Sequence, residues 1–311
     1  LWARVSLFAA WAIRDPVTVE TFFRYQRSDG AIPYRILRSP TTLGKYRGKP
    51  IYYTTPKPDF ISHQSGGFVY DGGLMAVIAA RQHGKRFQHY IDKALGFYAN
   101  RFGSNLIHEW FQCGWQDSIL KAGGTLYTNV LYWEASRRAS IARAIQSTFW
   151  NGSYFSDWVD YKRHDYFDAH ANMLAIIFHI ADRRQAESIL DVAERDCWNT
   201  FTLETNSPRY PFWRISPLNY LVWLTDYQNR GCLWLQPGIL YAVALYRTGR
   251  KNHAEKVLSA IAQKIIEHNE VYEVYERDGN PVRRLLYTSE GPFAWSAGLY
   301  LWACREMNVE M

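Results

Sequence analysis

Two stretches of the sequence carry residue types suited to proton chemistry. The first, FQCGWQDSILKAGGTLYTN (residues 111–129), places a lone carboxyl, Asp117, between Trp115 and Ser118, ahead of a glycine pair and a helix start. The second, EVYEVYERDG (270–279), gathers Glu270, Glu273, Glu276 and Asp278 among tyrosines, with Glu290 following shortly before FAWSAG. An apolar ring beside a carboxyl disfavours its ionised form and lets it keep a proton near neutrality. A solvated, hydroxyl-rich loop suits a carboxyl that stays ionised and takes a proton from water. One proton donor and one ionised acid are what cleavage of a glycosidic bond requires, because the oxocarbenium-like transition state is flanked by both. Asp117 does not read as a helix cap, since Gly123, Gly124 and Thr125 separate it from the next helix. It is therefore the candidate acid.

The elements that must hold these loops are helical. Apolar residues recur at spacings of three and four, and predict helices over 1–13, 16–26, 68–83, 86–101, 127–138, 139–149, 168–181, 183–196, 235–248, 250–268 and 292–305. Asp15 before Pro16 is a start signal, and Gly249 near a helix end is a stop signal. Helices at 1–13, 68–83, 127–138, 168–181, 235–248 and 292–305 are apolar nearly all round, as in PGILYAVALY, and must be buried on every side. Those between them, such as KNHAEKVLSAIAQKIIEH, are amphipathic. Six inner helices alternating with five outer ones predict an all-α fold, an (α/α)6 toroid formed by one domain over 1–311. The long segments 27–67, 102–126, 150–167, 197–234 and 269–291 would then gather over the N-terminal ends of the inner helices. The sixth outer helix is expected before residue 1 or replaced by 215–225, so a native N-terminal segment is expected to be missing.

Composition narrows the partners. The chain has 311 residues, 48% hydrophobic and 21% charged, which is ordinary for a globular protein. Its aromatic share of 16%, with 13 Trp and 22 Tyr, suits a cleft lined by flat rings as well as a core. The formal charge of +7 is scattered without a block of five like charges, which argues against nucleic acid as partner. No apolar run is long enough to span a membrane, and no membrane partner is expected. Cys113, Cys197, Cys232 and Cys304 are far apart, which excludes a dense disulfide framework or a zinc ribbon and fits a reducing compartment.

Five motifs in order resemble the catalytic domain of glycogen-debranching amylo-α-1,6-glucosidases and their relatives in glycoside hydrolase family 63, which include glucosyl- and mannosylglycerate hydrolases. They are FFRYQRSDGAIPYRI, SHQSGGFVYDGGLMA, GWQDS, the pair YPFWRISPLNYLVWL and GCLWLQPGILYAVALYRTG, and EVYERDGNPVRRLLYTSEGPFAWSAG. The resemblance implies an inverting glycosidase acting on an α-linked glucoside or related small saccharide, without a cofactor or metal. It makes Asp117 the general acid and Glu273 the general base, with Glu290 as fallback, roughly 6.5–9.5 Å from the acid. It implies sugar contacts from Trp213, Arg214 and Asn219; Gln64, Tyr70, Asp71, Trp115, Gln116, Trp234 and Trp295 are further candidates for sugar contact, with loop hydrogen bonding the alternative for Gln64. The chain departs from the family pattern at Ile215-Ser216 and at Leu218, where Gly-Pro and Trp are usual.

His164, Asp165, Asp168 and His170 in KRHDYFDAHAN could ligate a metal, but capping by Asp168 is the commoner outcome. His179, on an apolar helix, is expected in the core. Two other classes compete: another toroid enzyme of cyclase or lyase type, and a carbohydrate-binding toroid without catalysis. No DxDD proton donor is present for the first, and acids at both expected places oppose the second.

Overall fold

The computed structural model describes residues 1–37, 49–53 and 67–309. Among the described residues twelve α-helices form: α1 (Ala3–Ile13), α2 (Pro16–Phe23), α3 (Asp71–Arg81), α4 (Gln88–Phe102), α5 (Leu126–Ser136), α6 (Ala139–Phe149), α7 (Ala169–Ile177), α8 (Arg183–Cys197), α9 (Pro217–Leu221), α10 (Leu235–Arg247), α11 (Lys251–His268) and α12 (Ala294–Glu306). Their starts follow local chemistry. Asp15 accepts from the Val17 and Thr18 amides ahead of α2, with Pro16 at its first position. Asp182 and Gln185 form a reciprocal capping box on α8. The expected helix over 168–181 stops at Ile177, because His179 takes a left-handed φ of 60°. His179 is consequently exposed rather than in the core.

The apolar helices pack in a closed order: α1 on α3, α3 on α5, α5 on α7, α7 on α10, α10 on α12, and α12 back on α1. Two glycines permit that closure. A Cβ on Gly72 would stand 2.6 Å from the Ala3 Cβ, and one on Gly298 would stand 2.9 Å from the Ala9 Cα, so α1 approaches both neighbours closely. The amphipathic helices lie outside: α2 against α1 and α3, α4 against α3, α6 against α5, α8 against α7 and α10, and α11 against α10. Each buries one stripe, as Ile141, Ile145 and Phe149 do on α6. This arrangement is compatible with a helical toroid. The short α9 lies within 215–225, the span expected to stand in for a sixth outer helix.

The long segments before the inner helices are tied to one another. Strands β1 (Arg35–Leu37) and β2 (Lys49–Ile51) pair antiparallel. Strands β3 (Gly124–Thr125), β4 (Ser156–Val159), β5 (Arg163–Asp168) and a later strand, Asn206–Ser207, make a four-stranded antiparallel sheet that links three of the segments. Ile119 bridges Ile215, and Leu233 bridges Tyr275, so the segments carrying Asp117 and Glu273 are both joined to 197–234. All four cysteines are buried and free. No helix among the described residues is long and apolar enough to cross a membrane.

Candidate active site

Asp117 sits in a loop closed by reciprocal amide–carbonyl bonds between Glu109 and Gly123 at 2.8 and 2.9 Å. A buried glutamine, Gln228, fixes the loop on both sides of the acid. Its Oε1 accepts from the Ser118 amide and hydroxyl at 2.9 and 2.7 Å, and its Nε2 donates to the Trp115 carbonyl at 2.9 Å. The Asp117 carboxyl lies 3.6 Å from the Arg4 guanidinium, with its side chain 40% exposed. Arg4, in the first turn of α1, also donates to Asp71 at 2.5 Å, and Asp71 is fully enclosed. Burial alone would lower the Arg4 guanidinium, but Asp71, Tyr127 and Asp117 hold it raised.

The reason given by the sequence for Asp117 to keep a proton needs correction. The Trp115 ring turns inward, packs on His170 at 5.1 Å, and donates its Nε1 proton to Asp168 at 2.7 Å. Its neighbour is Asp168, whose carboxyl burial pushes up to about 7.

Glu273 occupies the facing segment. The solvated setting expected from the sequence also needs correction: the hydroxyls are there, but the Glu273 carboxyl is enclosed. Burial raises it to about 7, opposed by the Tyr287 hydroxyl, which donates to Oε2 at 2.6 Å, and by a hydrogen bond from Tyr227. The charges of Glu290 and Asp117 both reach Glu273 and add to the rise. Backbone pairing fixes the segment: the Glu273 amide donates to the Glu290 carbonyl at 2.8 Å, while the Glu290 residue is exposed. Asp117, Glu273 and Glu290 thus bear on one region, with Asp117 beside a cation and Glu273 among hydroxyls.

Beneath this region lies a layer of buried charge. Glu109 accepts from the Thr125 and Thr128 hydroxyls at 2.8 and 2.7 Å, and burial raises its carboxyl to about 7. Lys121 pairs with Asp157 at 2.6 Å, and the Tyr210 hydroxyl also donates to Asp157 at 2.6 Å. His170, in the first turn of α7, is enclosed by Phe8, Trp115, Tyr127 and Trp295, and burial lowers it to about 3, leaving a neutral ring. Asp168 caps α7 through the Ala171 amide at 3.0 Å, as the capping reading expects.

Several expected sugar contacts are engaged elsewhere. Gln116 is buried; its amide donates to the Gln228 carbonyl at 3.2 Å, and its oxygen accepts from Lys121 and lies 3.0 Å from the Tyr210 hydroxyl. Asp71 is held by Arg4, and Tyr70 packs among Phe68, Tyr98 and Phe102. Asn219 donates to the Leu224 carbonyl at 3.1 Å, closing its own turn. Trp234 donates to the Tyr227 carbonyl at 2.7 Å, and Trp295 is buried, stacked on Phe8 at 5.1 Å. Arg214 donates to the Leu120 carbonyl at 3.0 Å, while Trp213 is exposed beside it. Gln64 lies outside the described residues. Arg4, Gln228, Tyr227 and Tyr287 were not singled out from the sequence; the lone charge of Arg4 inside LWARVSLFAAWAI is a signal that could have found the first.

Among the described residues, Asp226, Cys232 and Glu276 have the spacing of a metal site. The Arg284 guanidinium already fills that role, donating to Asp226 at 2.5 Å, to Glu276 at 2.8 Å and to the Cys232 sulfur at 3.4 Å.

No protein-family model matches the chain, and no curated protein matches it. Solved structures do match in fold. A family 63 mannosylglycerate hydrolase from Thermus thermophilus, in complex with glucose, superposes with a TM-score of 0.66 at 14% identity, over 97% of this chain and 92% of that one. A glycosidase variant in complex with glucose gives 0.66 at 15% identity, over 99% and 87%. The wild-type glycosidase gives 0.63 at 14% identity with the same coverage. The likeness to family 63 glycosidases read from five short motifs is therefore a likeness of the whole fold.

Proposed function

We propose that the chain is a glycoside hydrolase of the (α/α)6 type that cleaves an α-linked glucoside or related small sugar with inversion. Asp117 is the general acid and Glu273 the general base. The observation that carries this reading is that the segments bearing Asp117 and Glu273 are both bridged to 197–234, which brings the two carboxyls to one region, with the Glu273 carboxyl, raised to about 7 by burial, held by the Tyr287 hydroxyl at 2.6 Å. A base titrating near the working pH is the strongest base still largely ionised there. The Tyr287 and Tyr227 hydroxyls favour its carboxylate form, which takes a proton from the attacking water. Asp117, 40% exposed beside Arg4, is the group left open to a sugar's leaving oxygen in this reading. The neighbours' glucose complexes and fold support a small saccharide as ligand.

The test is hydrolysis of maltose, isomaltose, trehalose, sucrose, glucosylglycerate and mannosylglycerate, with the first-released anomer followed by NMR. Wild type should release the anomer opposite to that in the substrate. Asp117→Asn and Glu273→Gln should each lose at least about a hundredfold in kcat. Release of the same anomer would sink the inverting reading, and full activity in either variant would sink the assignment of that residue.

A further inference from the structure

The rim of this site is apolar to an unusual degree. Phe212, Trp213, Leu221 and Trp223 are 70%, 64%, 64% and 72% exposed, and Leu285 and Leu286 are 89% and 59% exposed. They form one patch. The Tyr220 hydroxyl donates to the Phe212 carbonyl at 2.9 Å, and Arg284 donates to the Trp223 carbonyl at 3.0 Å, joining the 212–223 loop to the 283–288 hairpin. That hairpin pairs Arg284 with Tyr287 and Arg283 with Thr288, so its two-residue tip is Leu285-Leu286. Tips of this length ordinarily carry glycine or asparagine, and two leucines held there gain nothing from water.

We infer that this rim docks on an anionic lipid surface. The side chains present are those such a surface takes: exposed leucines at the hairpin tip, exposed tryptophans in the adjoining loop, and arginines in both segments. Segments 208–223 and 281–289 contain Arg209, Arg214, Arg283 and Arg284 and no acidic residue. Arg209 and Arg283 are exposed; Arg284 lies between Asp226 and Glu276 and offsets only one of their two charges, and Glu290 is exposed just past the second segment, so the four arginines exceed the three acids by one charge. The charge therefore complements phosphate headgroups, within the screening distance over which they attract. The absence of a span-length helix does not bear on such docking, which uses only side chains at a surface. Tyr287, next to the tip, bonds Glu273, so docking would set the mouth of the proposed site at the interface. The docking itself stands apart from the glycosidase reading, because its measurement needs no turnover.

Purified chain is spun with vesicles of phosphatidylcholine alone or mixed with phosphatidylglycerol, and tryptophan emission is recorded. Wild type should pellet with the anionic vesicles, with blue-shifted emission, and binding should weaken as salt rises. The Leu285→Ser/Leu286→Ser variant should lose at least about tenfold in partitioning. Arg209→Gln/Arg283→Gln should flatten the salt dependence. All four positions are exposed, so circular dichroism should be unchanged. Failure to bind either vesicle, or equal binding by the leucine variant, overturns the inference. So does a concentration-dependent dimer in sedimentation that the same serines abolish, which would make the patch a contact between copies.

Discussion

Removing one hydroxyl should move the pH dependence of the reaction. In Tyr287→Phe, Glu273 loses a donor that now sits 2.6 Å from its Oε2 and favours the carboxylate. A hydrogen bond to a charged group contributes about 1.5–3 kcal/mol, and about 1.4 kcal/mol corresponds to one pH unit. The Tyr227 bond remains, so the midpoint should rise from about 7 by about one to two pH units. If Glu273 is the base, kcat/KM falls on the acid side through that midpoint, because protonation removes the base. At neutral pH the ionised fraction would then drop by about five- to fiftyfold, and activity would return at higher pH. The assay is kcat/KM from about pH 5 to about pH 10 on whichever sugar is hydrolysed, with melting curves across the range. A limb on the alkaline side that moves upward in the variant would make Glu273 the acid. A limb that does not move at all would remove Glu273 from the titration.

Three further outcomes follow from the buried groups. Glu109 has a folded value near 7, above its unfolded one, so its contribution is full at acid pH and is lost as pH rises through about 7; Glu109→Gln should stabilise the fold at about pH 8 by up to about 3 kcal/mol and do little at about pH 5, read from melting curves at the two pH values. Arg4→Met leaves Asp71 enclosed and unpaired and should cost about 3–5 kcal/mol in urea unfolding, much of it regained by adding Asp71→Asn. Gln228→Leu releases the backbone on both sides of Asp117 and should lower kcat by about ten- to a hundredfold, with KM nearly unchanged; unchanged kcat would show that the loop holds its place without it.

The helices were legible because burial imposes a period on the sequence. PGILYAVALY, apolar on every side, became α10 with all but its last residues enclosed, and KNHAEKVLSAIAQKIIEH became an outer helix buried only along Ala254, Val257, Leu258 and Ile261. Stop signals were less legible: the break after Ile177 depends on a left-handed His179, which no local residue announces. Side-chain direction in the loops was not legible at all. Trp115 and Asp117 are two residues apart, yet the indole goes to Asp168, fifty-three positions on, while the carboxyl faces Arg4, close to the first residue of the chain. Gln116, between them, turns to Lys121, Tyr210 and Gln228. Sequence spacing sets what alternates along a segment, but the partners come from distant parts of the chain.

The same separation explains why the acids sit on loops that other loops tie to a helical frame. Arg4 and His170 project from first turns of α1 and α7, and Gly72 and Gly298 allow α1 to lie close to both its neighbours, so the cation cannot shift without moving packed backbone. Asp117 and Glu273 are joined to that frame through partners of a different kind: Gln228 and Arg4 for the first, Tyr227, Tyr287 and the paired backbone of Glu290 for the second. Loop 197–234 bonds to both acid-bearing segments, through Ile215 to Ile119 and through Leu233 to Tyr275. A displacement of that loop would therefore change the spacing of the two acids together with the exposure of Trp213 and Trp223. The spacing of the two acids and the Phe212–Trp223 part of the apolar rim depend on one piece of chain, so whatever covers that part of the rim also bears on the acids.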